Sequence, residues 1–220
     1  MKLIISLSML LSFSVGASQC ALPTNIQEYD YDAARNSRDW QNPNTPTDSF
    51  SLTLSWSPAY CAERSATGHQ CGASNEDQFG LIVHGLWAQS ASANGNHRKH
   101  PRNCSNPEAI KVATLKKHLC MMPGVKLIQN QWEKHGTCDF DSPEAYLDKT
   151  NQLYSALTIP SIQQTKQVEY KSWKEIADWL VSYNQHLGLK RENVYVHMRN
   201  KRLSEIRVCY DLAYQFTNCR

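Results

Sequence analysis

The chain has 220 residues, of which 41% are hydrophobic and 20% are charged, and its formal net charge is +3 at pH 7. This length and composition suffice for one sizeable core, and no linker rich in Gly, Ser or Pro divides the sequence, so we expect a single domain rather than several. Non-specific nucleic-acid binders usually carry a strong basic patch, so this weak charge permits a nucleic-acid substrate without indicating one.

The start of the chain predicts export. A charged first pair of residues precedes an apolar run over 3–15 that is too short to span a bilayer, and small residues follow. This pattern predicts a signal peptide over residues 1–17 and a mature chain over 18–220. The alternative is a buried N-terminal helix or strand. We therefore expect a secreted or periplasmic protein without a membrane anchor.

All eight cysteines lie beyond the predicted cleavage site. They are Cys20, Cys61, Cys71, Cys104, Cys120, Cys138, Cys209 and Cys219. An even number in an oxidising compartment favours four disulfides over free thiols, but eight cysteines allow 105 connectivities, so counting does not pair them. A zinc site is the alternative use. The sequence contains no C-x-x-C, so we expect no metal.

The first half of the mature chain predicts two strands separated by irregular segments. Residues 23–49 are polar and lack a sustained period, which predicts an irregular lead-in over the fold. Residues 50–56 alternate between apolar and small polar side chains, which predicts a half-buried strand. Residues 57–78 predict a long loop. The apolar run over 79–87 predicts a second, central strand that carries His84 on it or just past it.

The second half predicts helices followed by paired strands. The predicted helices cover residues 107–119, 125–138, 143–157 and 173–187. The last helix is predicted to have one apolar face, made by Trp173, Ile176, Leu180, Tyr183 and Leu187. Residues 194–198 and 203–210 alternate like paired strands. Because strands and helices come in blocks, the order favours an α+β fold, with a central, mostly antiparallel sheet packed with several helices.

Two short segments carry residues suited to acid–base chemistry. The first is His84-Gly85-Leu86-Trp87, and the second runs from Gln131 to Cys138 with the sequence QWEKHGTC. On a helix, the spacing places Gln131, Lys134 and His135 along one surface and Glu133 roughly on the other side.

Two histidines and a lysine can act on a phosphodiester. Histidines that titrate near neutrality could take the proton of a ribose 2′-hydroxyl and give one to the departing 5′-oxygen, while a lysine offsets charge on the phosphate. This chemistry needs no metal and no cofactor. Each residue alone is a weak signal, because a lone histidine beside an apolar strand is more often a core residue. The joint occurrence of His84, Lys134 and His135 is what indicates a site.

One basic run, residues 97–102, has two open interpretations. It is a solvated loop or a segment that steers phosphate, and the sequence favours neither.

Both segments resemble the two active-site signatures of the ribonuclease T2 family of secreted ribonucleases. The resemblance covers most of the mature chain: Trp56 and Cys61 precede the first signature, and a Leu-Ser-Glu-Ile-x-x-Cys strand ends at Cys209. It implies that residues 18–220 form one α+β catalytic domain. It also implies endonucleolytic cleavage of single-stranded RNA through a 2′,3′-cyclic phosphate, and we expect a monomer.

The resemblance further implies roles for individual residues. His135 matches the base for the 2′-hydroxyl and His84 matches the acid, although the two roles could be exchanged here. Lys134 matches a phosphate-stabilising lysine, and Trp87 matches an aromatic residue that stacks a base. Three disulfides are also implied. They join Cys104 to Cys138, Cys61 to Cys71 and Cys209 to Cys219, which leaves Cys20 and Cys120.

Five positions depart from the family pattern. Asn130 and Gln131 replace the usual His-Glu of the second signature, although both amides can still donate hydrogen bonds to a phosphate. Without a carboxylate at Gln131, we expect a lower pKa for His135 than in a usual member. Ala88 and Gln89 replace Pro-Asp, so base preference is not carried over, and Gln89 stays a candidate substrate-binding residue. Leu127 stands where an aromatic residue is common.

We therefore expect an active enzyme, and two alternatives stay open. A catalytically weak or inactive relative could keep the fold to bind RNA or a partner, because Gln131 and Asn130 depart from the signature. A metal-dependent nuclease or hydrolase would be excluded if EDTA left activity unchanged.

Overall fold

The computed structural model describes residues 20–33, 39–64, 68–72 and 79–219, and the predicted signal peptide lies outside these ranges. The strands are β1 (Ser49–Trp56), β2 (Leu81–Gln89), β3 (Val194–Arg199) and β4 (Arg202–Tyr210). The α-helices are α1 (Ser57–Arg64), α2 (Val112–His118), α3 (Val125–His135), α4 (Pro143–Ala156), α5 (Ile162–Lys166) and α6 (Trp173–Asn184). No helix within these ranges combines the length and the apolar composition that a membrane crossing requires.

The four strands form one antiparallel sheet in the order β2-β1-β4-β3. The central strand β1 is buried along most of its length, and its apolar side chains join those of β2, β4 and the helices in one core. Helices α3 and α4 contact β2, whereas α6 contacts β3. The expected α+β fold is confirmed. The prediction of a central strand for the His84 segment is wrong, because β2 lies at an edge of the sheet.

A β-bulge at His84 decides which side chains of β2 face the cleft. Thr53 of β1 pairs with Gly85 and the next residue, Leu54, pairs with Val83, so His84 is an extra residue without a partner on β1. A bulge of this kind shifts the alternation of the strand by one residue. As a result Val83 lies in the core before the bulge, Leu86 lies in it after the bulge, and His84 and Trp87 are both half-buried on the other side.

Two sequence interpretations need correction between the first strand and the third helix. Part of the predicted loop over 57–78 is instead the helix α1. Pro58 is compatible with this helix because it lies in the first turn, where a backbone N–H has no helical partner to lose. The predicted helix over 107–119 is shorter and begins at Val112. The residues before it are extended, since the backbone N–H of Ile110 donates to the Gln129 side chain (2.8 Å) instead of a helical carbonyl.

Helices α5 and α6 also differ from expectation. The short helix α5 was not predicted, although Ser161 and Gln164 form a capping box at its start. The predicted apolar face of α6 is only partly right, because Trp173 is 49% exposed and Leu187 is 39% exposed. The helix ends at Asn184, which is fully buried and bonds the backbone of residue 158, so Leu187 lies beyond the helical face.

Four disulfides tie the sheet, the helices and the lead-in together. They join Cys20 to Cys120, Cys61 to Cys71, Cys104 to Cys138 and Cys209 to Cys219. Three of these pairs are those implied by the family resemblance, and the fourth joins the two remaining cysteines. The Cys20–Cys120 bond spans 100 residues of sequence and fastens the lead-in to the segment before α3.

Candidate active site

A cleft of about 420 Å³ lies between β2, the end of α3, the lead-in and the basic run. Its walls bring together both sequence signatures and several residues far from either. They are Trp40, His84, Trp87, Ala88, Gln89, His97, His100, Pro101, Arg102, Gln131, Lys134, His135 and Arg207.

His84 is held by a carboxylate on the strand β4. The Nδ1–H of His84 donates to Oε1 of Glu205 (2.7 Å), and the Ser55 hydroxyl contacts both groups, at 3.2 and 3.3 Å. Burial raises the pKa of Glu205, but the hydrogen bond and charge of His84 outweigh it and keep that pKa below its usual value. Because Nδ1 is bound, Nε2 is the ring nitrogen of His84 that remains to exchange a proton.

His135, the last residue of α3, is in contact with the guanidinium of Arg102. The distance from Arg102 Nη1 to His135 Nε2 is 3.3 Å. A guanidinium can only donate, so this contact requires an unprotonated Nε2 and therefore a neutral ring. Burial is the first cause that holds the pKa of His135 well below 6.5, followed by the positive charges of Arg102, His84 and Lys134. A neutral His135 can accept a proton.

Backbone contacts bring Arg102 to His135. The N–H of Asn103 donates to the carbonyl of Lys134 (3.0 Å), and the N–H of Cys104 donates to the hydroxyl of Thr137 (3.2 Å). The Cys104–Cys138 disulfide closes the same contact covalently. The end of the basic run is thus fixed against the end of α3.

The Trp87 ring lies between the two histidines. It stacks on His135 with a centroid separation of 5.3 Å and meets His84 edge to face at 5.1 Å. Its indole N–H donates to Oε1 of Gln131 (2.7 Å), and the Arg207 guanidinium lies 4.7 Å from its ring centroid. Trp87 therefore sets the spacing of the two histidines in addition to offering a ring to the cleft.

The glycine of the first signature is required by this close approach. A Cβ at Gly85 would clash with Oε1 of Gln131 and would lie 2.8 Å from Nε1 of Trp87. Only glycine lets β2 pass α3 at the distance at which Trp87 and Gln131 form their hydrogen bond.

We expect Gly85→Ala to lower the free energy of unfolding by about 1–3 kcal/mol, because the added methyl overpacks this contact. Denaturant unfolding monitored by circular dichroism measures the change. Gly124→Ala is the matched control, since its Cβ would meet nothing closer than 3.4 Å. Equal stabilities for the two variants would contradict the close approach.

Lys134 reaches a carboxylate from the lead-in. Its Nζ is 3.3 Å from Oδ2 of Asp39 and 4.8 Å from the ring centroid of Tyr31. The same carboxylate accepts a hydrogen bond from Nε of Arg102 (2.6 Å). One buried carboxylate thus holds two cations at the cleft.

Glu133 faces away from the cleft. It is 1% exposed, accepts a hydrogen bond from Gln129 Nε2 (2.7 Å), and contacts the backbone N–H of Tyr31 (3.3 Å). Burial raises the pKa of Glu133 to about 7. It is not in contact with His135 and serves the packing between α3 and the lead-in.

The remaining predicted site residues are divided between two cavities. Gln89 lines the cleft, where its side chain donates to the Ala88 carbonyl (3.0 Å). Asn130 instead lines an adjoining cavity of about 380 Å³ with Leu127, and His84, Gln131 and Lys134 border both cavities. Asn130 thus shares a cavity with His84, whereas His135 lines only the main cleft.

Sequence analysis did not single out Asp39, Trp40, Glu205 or Arg207 as site residues. Asp39 and Trp40 lie in a segment without periodicity, and Glu205 and Arg207 look like ordinary polar positions of a strand. The basic run gave a signal for Arg102. Residues 97–99 of that run are exposed, and His97, His100, Pro101 and Arg102 border the cleft. A role of the run in steering phosphate stays a prediction.

Across the ranges that the structure describes, no cluster of three or more His, Cys, Asp or Glu side chains could hold a metal ion. The cleft offers histidines and cations, which suit an anion better than a metal.

The model of the ribonuclease T2 family matches residues 47–219 of the chain. A protein of Haemophilus influenzae described as a probable ribonuclease is 36% identical over 208 residues, which cover 90% of this chain and 70% of that protein. An RNase-related protein from Calystegia sepium superimposes with a TM-score of 0.60 at 20% identity, over 80% of this chain and 92% of that one. RNase NT, solved in complex with 5′-AMP, gives 0.57 at 17% identity, over 80% and 91%. These two structures show a shared fold.

Proposed function

Because the chain belongs to the ribonuclease T2 family, we propose that it is an endoribonuclease that cleaves single-stranded RNA by metal-free acid–base transfer through a 2′,3′-cyclic phosphate. One observation carries the proposal. His84 and His135 lie on one cleft, each about 5 Å from the Trp87 ring, and Lys134 borders the same space. This is the arrangement that a phosphodiester needs between a base and an acid.

In the first step His135 acts as the base. Its neutral Nε2 takes the proton of the 2′-hydroxyl, the 2′-oxygen forms a bond to phosphorus, and the bond from phosphorus to the 5′-oxygen breaks. The Arg102 guanidinium is in contact with Nε2 before RNA binds, but an anion accepts its hydrogen bonds more strongly than a neutral ring nitrogen does. An arriving phosphate would draw that donor away and leave the Nε2 lone pair for the 2′-hydroxyl.

His84 acts as the acid for the leaving group. Protonated His84 gives the Nε2 proton to the 5′-oxygen, and Glu205, 2.7 Å from Nδ1, accepts the hydrogen bond that orients the ring for the transfer. In the second step water attacks the cyclic phosphate and the two histidines exchange roles. Protons and bonds balance over the two steps, which leave a 3′-phosphate and a free 5′-hydroxyl.

Lys134 and Arg102 supply positive charge where the phosphorane carries negative charge. Both side chains line the cleft, and neither is more than 18% exposed. Fixed cations in a water-poor site stabilise a developing anion more strongly than mobile ions in solvent do.

Trp87 and Gln89 are the proposed contacts for an unpaired base. The Trp87 ring is half-buried, and Gln89 borders the same cleft. Stacking on an aromatic ring suits single-stranded RNA, because a base inside a duplex has no free face. The nucleotide complex of RNase NT, a structure with the same fold, supports a nucleotide as the ligand.

An extracytoplasmic location follows from two features. The sequence pattern at residues 1–17 predicts export, and the described cysteines are all paired in disulfides, which persist in oxidising compartments. We propose a secreted or periplasmic monomer.

The rival function is a catalytically weak or silent binding protein. Gln131 and Asn130 motivate it, because both replace ionisable residues of the family signature. Against it, His84, Lys134 and His135 border one cleft, and Gln131 has a defined partner in Trp87.

Purified mature protein incubated with single-stranded RNA in EDTA separates these functions. We expect oligonucleotides that end in a 2′,3′-cyclic phosphate, detected by mass spectrometry, and their later conversion to 3′-phosphates. RNA that stays intact over the range from pH 4 to 9 would favour the binding protein. Loss of cleavage on adding EDTA would favour a metal-dependent nuclease.

Glu205→Gln is expected to lower kcat by about 10–100-fold, because a charged hydrogen bond to protonated His84 is replaced by a neutral one. A pH–rate profile on a short RNA measures the loss across the pH range. Glu192→Gln is the exposed control. A profile like that of the wild type would remove Glu205 from the mechanism.

A further inference from the structure

Asp39 contacts two cations of the cleft from outside the region that matches the family model. That match begins at residue 47, whereas Asp39 belongs to the irregular lead-in. Its side chain is only 2% exposed. A carboxylate buried to this degree is costly unless it is paired, so its partners decide what it does.

The partners of Asp39 are the two cations of the proposed reaction. Nε of Arg102 donates to Oδ1 (2.6 Å), and Nζ of Lys134 lies 3.3 Å from Oδ2. The Tyr31 hydroxyl donates to Oδ2, and the backbone N–H of Trp40 donates to Oδ1 (3.0 Å). Burial raises the pKa of Asp39, but Arg102 and Tyr31 outweigh it and hold that pKa well below its usual range. The carboxylate is therefore charged at every pH at which RNA is assayed.

The backbone around Asp39 is fixed against the basic run. Asn42 and Arg102 form an antiparallel bridge, with the N–H of Asn42 donating to the Arg102 carbonyl (2.8 Å). The Asn103 side chain donates to the Trp40 carbonyl (2.6 Å), and the Arg102 guanidinium lies 4.4 Å from the Trp40 ring centroid. These contacts leave the carboxylate little freedom to move away from its cations.

Gln131 cannot supply the negative charge that Asp39 supplies. It lies beside Lys134 on the wall of the cleft, but its side chain is neutral and its oxygen is bound to the indole N–H of Trp87. The charge that balances Lys134 and Arg102 must therefore come from elsewhere.

We propose that Asp39 is a positioning residue of the active site, which anchors Lys134 and Arg102 beside His135 and toward the phosphate. This inference rests on the proposed function. Asp39 acts through its partners and does not itself touch the reacting atoms.

The charges that face His135 come from four elements. His84 on β2, Lys134 on α3 and Arg102 at the end of the basic run each disfavour its protonated form, and Asp39 on the lead-in favours it. Asp39 is thus the group that opposes the three positive ones. Without its charge, His135 would stay neutral to a lower pH than in the wild type.

Asp39→Asn tests the inference, because it keeps the size of the side chain and removes its charge. We expect kcat on a short single-stranded RNA to fall by about tenfold or more, since Lys134 and Arg102 lose their anchor. We also expect the acidic limb of the kcat/KM profile to move to lower pH, while KM changes less than kcat. Asp178→Asn is the matched control, because Asp178 also pairs with an arginine but lies on the exposed face of α6.

A rescue variant separates charge from fold. Gln131→Glu can still accept from Trp87 and places a carboxylate on the same wall, so Asp39→Asn/Gln131→Glu should recover part of kcat and move the acidic limb back toward higher pH. Melting temperatures of all variants are measured in parallel. If Asp39→Asn does not fold, Asp39→Glu, which keeps the paired charge but displaces it, is expected to lower kcat with the acidic limb in place.

Three results would overturn the inference. Asp39→Asn could keep the wild-type kcat and pH profile, it could lower only the melting temperature, or Asp39→Glu could retain full kcat. A wild-type protein that leaves RNA intact would overturn the proposed function and this inference with it. An active wild type with an indifferent Asp39 would overturn the inference alone.

Discussion

Replacing His135 by alanine is expected to lower kcat on single-stranded RNA by about 10²–10⁴-fold, the range typical of a lost general base. The reason is that no other described group at the cleft combines a neutral nitrogen with a place beside Lys134 and Trp87. Rates of cleavage of a short oligoribonucleotide, measured under single-turnover conditions, give the change in the chemical step. His186→Ala is the control, since that histidine is exposed at the end of α6.

The pH dependence of wild-type activity also tests the role of His135 as a base, because it depends on the direction in which the pKa of this ring is shifted. Burial and neighbouring positive charges lower the pKa of His135 below 6.5, so the base stays unprotonated as the pH falls through that value. We therefore expect the acidic limb of the kcat/KM profile to lie below pH 6.5. The residual activity of His135→Ala should show no such limb. An acidic limb above pH 6.5 would contradict the buried, neutral state of this ring.

The second large effect is expected for His84→Ala, and it depends on the leaving group. On RNA the variant should lose about 10²–10⁴-fold in kcat, because the departing 5′-oxygen is a poor leaving group until it is protonated. On a nucleoside 3′-(4-nitrophenyl phosphate) the loss should be far smaller, since nitrophenolate departs without a proton. His135→Ala should lose activity on both substrates, because both need the 2′-hydroxyl to be deprotonated.

Product analysis completes that test. With the nitrophenyl substrate, His84→Ala should release nitrophenol and accumulate the 2′,3′-cyclic phosphate, because hydrolysis of the cyclic product needs His84 as its base. The reverse pattern, in which His135→Ala tolerates the activated substrate, would exchange the two roles. Equal losses for both variants on both substrates would falsify a division into one acid and one base.

Much of the fold could be predicted from the sequence because its signals are local. The alternation over 50–56 and 203–210 specified strands, and the helical spacing from Pro143 specified a helix that the structure shows to begin at that residue. The errors arose where tertiary contacts outweighed local preference. The segment before α2 is extended because Gln129 binds its backbone, and the end of α6 is set by a buried asparagine.

The candidate site could be predicted only in part, because only some of its signals are local in the sequence. Its chemistry-bearing residues sit in two short segments whose residue types are informative in themselves. The contributions of Asp39 and Glu205 were invisible, because each lies at least 63 residues along the chain from the groups that it holds. Such contacts depend on how the lead-in and β4 are placed in three dimensions, and no local pattern encodes that placement.

By itself, the sequence determined which two histidines and which lysine are candidates for the acid–base chemistry, and the two glycine-containing signatures that carry them. Only the tertiary structure decided how they meet. His84 and Trp87 are three residues apart and would face opposite sides of a regular strand, but the bulge at His84 turns both toward the cleft. The tertiary structure also decided which group balances the positive charge of Arg102 and Lys134. A buried carboxylate is stable only beside its cations, and folding brings Asp39 to both of them.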